Sequence, residues 1–456
     1  MDKSEKQFQR MTSAPIPVLI TSLAVPTVIS MLVTAVYNTA DTYFVSKLGK
    51  SASGAVGVVF SLMAVIQAVG FTLGMGSGSW ISRLLGQKKY NEAIEISASA
   101  FYSSIVFGIL LAIGGSVFID PIMKLLGATE SILPYARAYG RYILFAAPVM
   151  AASFVLNNLL RAEGKARFSM IGIASGGVLN IFLDPLFIYT FELGTAGAAI
   201  ATAISQCISF LILLYPFLNG KTVTKLNIKY ISKKAGIYIY IIKYGLPSLC
   251  RQGLASIATI ALNVNASVYG DAAIAAMAIV SKIFMLVFSA IIGFGQGYQP
   301  VVGYNFGAGR YKRVREAFFF TLKVGMSIMF IFSIIGYINA PSLIMAFIKD
   351  DAQVIDIGTK ALRAQCIVMP LVPFGVVCNM TFQSIGKAWT ATFLSVARQG
   401  IFFLPLILVL PMFMGLTGVQ ATQPLADVLT FLCGIPFAVH FFRTLDTAAA
   451  MHERQE

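Results

Sequence analysis

About twelve times along this chain an apolar run is long enough to cross a bilayer, and no other feature narrows the fold as far. A hydrocarbon core ~30 Å thick takes ~20 helical residues to cross. Inside it every backbone amide must be bonded within the protein, which a helix does locally. The runs fall at 16–46, 53–84, 91–118, 131–160, 166–190, 195–218, 237–268, 272–306, 311–338, 352–384, 388–413 and 416–443. Several exceed the minimum, so tilted or kinked helices are expected. The reading is an all-α integral membrane protein of twelve transmembrane helices, numbered here as spans 1 to 12. Charged residues make up 12% of the chain, about half the ~25% of a soluble domain, which leaves little room for one. The first run contains Pro17 and Pro26 and is longer than a signal-peptide core, so it is expected to stay as span 1.

The two halves resemble each other. Pro26, Gly49, Ala52, Gly194 and Gly197 recur 221 residues later as Pro247, Gly270, Ala273, Gly415 and Gly418. GFTLGMGSGSWISRLLG (70–86) matches GFGQGYQPVVGYNFGAG (293–309) at an offset of 223, and NNLLRAEGKA (157–166) matches NMTFQSIGKA (379–388) at 222. Such a steady offset points to a tandem duplication of a six-helix unit: an N-terminal lobe over 1–220, a cytoplasmic linker over 221–236 and a C-terminal lobe over 237–456. An even number of spans per copy gives both the same orientation. Their pseudo-twofold then runs along the membrane normal, with a substrate chamber between them near the midplane.

The net charge of +15 would suit nucleic acid, but the basic residues cluster in short loops between apolar runs. The partner they imply is the lipid bilayer, with no nucleic acid. Of the 34 Lys and Arg, 23 fall on the side of the N-terminus, the last of them Arg454; eight fall on the other side, and Arg251, Lys282 and Arg398 sit within spans. That bias places both termini in the cytoplasm. The linker KTVTKLNIKYISKK (221–234) reads as a solvated cytoplasmic loop. Five scattered cysteines, none in a CxxC pair, give neither a disulfide framework nor a metal site, and no cofactor is expected.

Polar residues inside spans carry the chemistry. Span 1 reads PTVISMLVTAVYNTADTYFV over 26–45, and a carboxylate there costs at least ~2.5–3.5 kcal/mol. Tyr37 and Asp41 are four apart and Asn38 three before Asp41, so the three are expected on one inward face. Deep inside the predicted spans the acids are Asp41, Asp184 and Asp427. In span 5, GGVLNIFLDPLFI sets Asn180 and Asp184 four apart, followed by Pro185. In span 6, AAIATAISQCIS aligns Thr202 with Gln206 and Ser205 with Ser209. Oxygen-only ligands suit hard cations. Two carboxylates sharing a low-dielectric site do not both stay charged cheaply, which favours proton exchange. The bland alternatives are a structural hydrogen bond for Asp41 and a local cap or kink at Asp184-Pro185.

The C-terminal half lacks this pair, reading RQGIFFLPLIL where Asp184 would fall. It has Arg251 and Gln252 in span 7, Arg398 and Gln399 in span 11, and Asp427 in span 12. An intramembrane arginine calls for a counter-ion, so Asp427 is expected to pair with Arg398 or Arg251, either as a fixed tie or as a substrate contact. Tyr37, Asn38, Asn157, Gln206, Arg251, Gln252, Arg398 and Asp427 are the candidate substrate-lining residues. GMGSGSW (74–80) lacks the GK[ST] ending of a phosphate loop and reads as small residues for close helix packing. Trp80 and Trp389 read as interface or packing residues.

Taken with their order and spacing, ADTYFVSKLG closing span 1, GSGSWISRLLG after span 2, RAEGKAR after span 4 and LNIFLDPLFI in span 5 resemble the multidrug and toxic compound extrusion (MATE) family, closest to its prokaryotic DinF-like branch. The resemblance implies a V-shaped pair of lobes exporting amphiphilic organic compounds, typically cationic, against inward H⁺ or Na⁺ flow. It implies a cation or proton site of Asp41, Asn180, Asp184 and Thr202, with Na⁺ as the sole metal considered there. Another branch uses acidic residues in spans 7 and 10, where this chain has Arg251 and Gln252 in span 7 and neutral residues through the middle of span 10. The expected protein is a monomeric secondary transporter of the inner (plasma) membrane, not an enzyme. Three alternatives stand beside it. A lipid-linked precursor flippase would set the arginines on a diphosphate. An integral-membrane enzyme would need polar groups at a water interface, where Asp350, Asp351 and Asp356 look like a solvated loop and helix start. An ion channel fits two-half symmetry with a proline-bearing gate helix less well.

Overall fold

The structure, a computed structural model, describes residues 3–349 and 351–453. Asp350 and Arg454, both used in the sequence argument, lie outside the described residues. The chain is all-helical, in two bundles of six. Eleven helices among the described residues are long and apolar enough to cross a membrane, one fewer than expected. The remaining span is the helix Ala235–Ser267, which is long enough at 33 residues. It falls short in hydropathy because Lys243, Arg251, Gln252, Asn263 and Asn265 interrupt its apolar run.

Proline and glycine shape the helices. Span 1 runs Ile16–Ser46 through Pro26, whose missing N–H leaves the Ser22 carbonyl without its helical donor. Around it the hydroxyls fold back on the helix: Thr27 donates to the Leu23 carbonyl at 2.5 Å and Ser30 to the Pro26 carbonyl at 3.0 Å, a pattern that goes with bending. Span 10 is broken at Met369–Leu371 into Ala352–Val368 and Val372–Ser384. Asp351 caps its first piece, accepting from the Gln353 and Val354 amides. Spans 5 and 11, equivalent in the duplication, each contain a π-helical stretch, Leu186–Thr190 after Pro185 and Ala397–Phe403. Such stretches are frequent at functional sites.

The halves join through spans 1 and 2 of the first and spans 7 and 8 of the second, the latter running Asp271–Gly307. Glycines make the seam. A Cβ at Gly76 would collide with the Ile241 carbonyl, one at Gly245 with the Thr72 carbonyl, and one at Gly297 with the Ala24 backbone. The small-residue motifs at 74–80 and 293–297 thus let backbones touch across the pseudo-twofold. Trp80 packs edge-on against Tyr240 and Tyr244 at the same seam, while Trp389 is exposed.

A single apolar core is shared by both halves at this end, joining Leu19, Ile20 and Leu23 of span 1 to Leu85 of span 2 and Tyr298 and Val302 of span 8. Toward the other end the core divides. Val59, Ile66, Ile143 and Ala198 pack within the first half, and Ala276, Met329, Ala361 and Val419 within the second. The result is a V closed at the end that bears the N-terminus.

Two segments there are more ordered than sequence implied. Residues before span 1 form the helix Lys3–Ser13, held to both halves: Gln7 donates to the Glu163 carbonyl at 2.5 Å, and Asn305 to the Met11 carbonyl at 3.1 Å. The linker is not simply a solvated loop. Thr222, Thr224 and Ser232 are buried. The Glu163 carboxylate accepts from the Val223 amide at 2.9 Å, the Thr224 amide at 2.8 Å and the Thr224 hydroxyl. Sequence reading passed over Glu163 because it lies at a helix end rather than deep in a span.

Candidate functional site

Spans 1, 4, 5 and 6 bring a polar cluster together inside the first lobe. Gly176 and Gly177 explain how. A Cβ at Gly177 would stand 2.9 Å from both the Tyr37 ring and the Val33 side chain, and one at Gly176 would stand 2.8 Å from Ser209. Span 5 can therefore press against spans 1 and 6, and its next turns carry Asn180 and Asp184 inward. Asp184 is fully buried, and Asn180, Thr202 and Asp41 nearly so.

The Asn180 amide donates to Asp184 Oδ1 at 3.1 Å and to Thr202 Oγ1 at 3.3 Å. The Tyr139 hydroxyl, from span 4, donates to Asp41 Oδ2 at 3.2 Å and lies beside Thr202, within electrostatic reach of Asp184. Asp184 lies within electrostatic reach of Asp41. The four residues expected to form a cation or proton site are thus neighbours, with Tyr139 bridging them. Tyr139 was not foreseen, because a tyrosine near a span end looks like an interface residue. Asp41 Oδ1, Asn180 Oδ1, Asp184 Oδ2 and Ser205 Oγ are buried and accept no hydrogen bond from any of the described residues. Oxygens left over in this way make a donor set suited to a hard cation or to a proton passed between carboxylates.

Between the lobes lies a chamber of about 290 Å³, close to the lower end of the usual range for small-molecule sites. Its walls are largely apolar, with Met31, Phe71, Phe154, Ile173, Met285 and Phe288 among them. Asn38, Asn157, Arg251, Gln252, Arg398 and Asp427 line it, whereas Tyr37 and Gln206 do not. Tyr37 is buried in the first lobe, with Gln206 beside it. The expectation that Tyr37, Asn38 and Asp41 share a face is therefore corrected. The ~100° turn per residue sends Asn38 toward the chamber while Tyr37 and Asp41 point into the lobe.

In the second lobe the counter-ion of Arg398 is Asp427, with Nε donating to Oδ1 at 2.7 Å. Gln365 and Gln423 also donate to Asp427, at 2.9 and 3.0 Å. The Arg398 guanidinium stands 4.6 Å from the Phe288 ring centroid. Arg251 does not share this acid. Its hydrogen-bond partner is the Met75 sulfur at 3.8 Å.

Comparison with known proteins bears on the family and the fold. The MatE family model matches residues 26–186 and 247–409, one copy in each half. A multidrug export protein MepA of Staphylococcus haemolyticus is 30% identical over 434 residues, spanning 93% of this chain and 94% of that protein. The MepA of Staphylococcus saprophyticus is 28% identical over 90% of this chain and 91% of its own length. Among solved structures, a multidrug resistance MATE family transporter of the MOP superfamily in an outward-facing conformation superposes with a TM-score of 0.90 at 28% identity, covering 96% of this chain and 98% of that one.

Proposed function

This chain belongs to the MatE family, a family of membrane transporters rather than enzymes, and from that premise we propose that it exports amphiphilic organic compounds from the cell by antiport with H⁺ or Na⁺. The proposed setting is the plasma membrane, with both termini cytoplasmic and the V opening outward. The MepA relatives support the multidrug reading.

One observation carries the mechanism: span 1 presents Asp41 to the closed cluster on one face and Met31, Thr34, Ala35 and Asn38 to the chamber on the other. An ion entering from outside would settle on Asp41, Asp184, Asn180 and Thr202, cancelling carboxylate charge. The change alters how span 1 packs against spans 5 and 6. Pro26 gives it a place to bend, so the chamber wall moves and bound substrate is released outward. Closing outside and opening inside would then free the ion and admit new substrate. Such coupling requires each ligand to bind the two states unequally, and a helix shared by both sites supplies that. The test is drug resistance in cells carrying Asp41→Asn or Asp184→Asn. Resistance is expected to vanish at normal membrane levels of protein, and undiminished resistance in both variants refutes the site.

A further inference from the structure

The charge in the chamber is unlike that of a site for organic cations. Asp427 is the acid lining it, and three donors already occupy that acid, Arg398 among them. Arg251 lines the same chamber, and among the described residues no carboxylate lies within ion-pair distance of it. The thioether it touches is a weak acceptor. A second guanidinium, Arg161 of span 4, is buried nearby: it lines a small cavity together with Met75, whose sulfur Arg251 touches. Arg161 is held by Gln296 and Asn158, and Gln296 reaches the chamber wall as well. Neutral amides orient Arg161 but leave its charge standing, and a desolvated cation without a counter-ion is costly. Arg398 adds a buried Nη2 that no group among the described residues accepts from.

We infer that the substrate of this chamber carries an anionic group, a carboxylate, sulfonate or phosphate, seated on Arg251 with its apolar body against Phe71, Phe154 and Phe288. A guanidinium offers paired N–H donors that match a planar carboxylate or a phosphate face. A purely cationic drug would meet the Arg251–Arg161 field as repulsion, whereas a zwitterion or an anion would meet it as the missing counter-charge. The inference rests on the reading of the chamber as the transport site.

The test is equilibrium binding to purified protein in lipid nanodiscs, with no ion gradient, by fluorescence anisotropy. The probes are a rhodamine bearing its free carboxylic acid and the ethyl ester of the same dye, which differ by that one charge. The free acid is expected to bind at least about tenfold tighter. Arg251→Met should bring the acid down to the level of the ester, and Arg251→Lys should restore part of the difference. Equal affinity for the two probes in the unaltered protein, or a preference for the acid that survives Arg251→Met, overturns the inference. Displacement by farnesyl diphosphate or by a long-chain carboxylate separates two sources of the charge. The stronger competitor names the head group, and failure of both to displace the dye also overturns it. Absence of ion-driven transport would instead sink the antiport reading while leaving the acid–ester difference intact.

Discussion

Removing the carboxylate of Asp427 should destabilise the second lobe well beyond the worth of a surface ion pair. Its side chain is 1% exposed, and the Arg398 side chain opposite is 16% exposed. Asp427→Asn keeps one acceptor, turns an N–H₂ group toward either Gln365 or Gln423, and leaves the guanidinium facing Phe284 and Phe288 without a counter-charge. Breaking a buried pair by losing one partner costs ~3–5 kcal/mol, and the modest exposure of Arg398 places the expectation near ~3 kcal/mol. Arg398→Met in the same chain removes the stranded charge, so the double variant should recover most of that loss. The coupling in a double-mutant cycle should then reach ~2 kcal/mol, measured by reversible unfolding in mixed SDS–detergent micelles. Exposed pairs give ~0.2–1 kcal/mol. Additive costs, with no recovery in the double variant, would mean that water screens the pair and that its place in a dry chamber wall is misjudged.

Two further perturbations probe the packing that positions the site. Gly177→Val drives a side chain into Tyr37 and Val33, an overpacking that costs ~1–3 kcal/mol; it should impair ion-driven export while equilibrium binding of the rhodamine acid persists. Glu163→Gln puts an N–H₂ group among the donors of Val223 and Thr224. A loss of ~2 kcal/mol from charge-assisted bonds should speed hydrogen exchange of those two amides about 30-fold; unchanged protection would contradict the clasp.

What sequence disclosed and what it hid divide along physical lines. Twelve apolar runs and a repeat near 222 residues dictate the two bundles, because a membrane leaves the backbone so few choices. Asp41, Asn180, Asp184 and Thr202 stood out because polar groups in hydrocarbon are costly and need a purpose. Tyr139 did not, since a tyrosine is at home at a membrane boundary. Nor did Glu163, whose partners are backbone amides far along the chain. The facing of Asn38 was misread because spacing along one helix says which residues are neighbours, not which neighbouring helix each one meets. Choosing Arg398 over Arg251 for Asp427 likewise needed the packing of spans 11 and 12, which no local pattern encodes.

The central claim is that ion capture by Asp41 and Asp184 drives export. The most direct measurement is dye flux in liposomes holding the purified protein, under a pH gradient and a Na⁺ gradient imposed separately. Accumulation of dye against its own gradient under at least one of them, abolished by Asp41→Asn, is the predicted result. Flux that only follows the dye gradient, or that is equally uphill in Asp41→Asn, would contradict it.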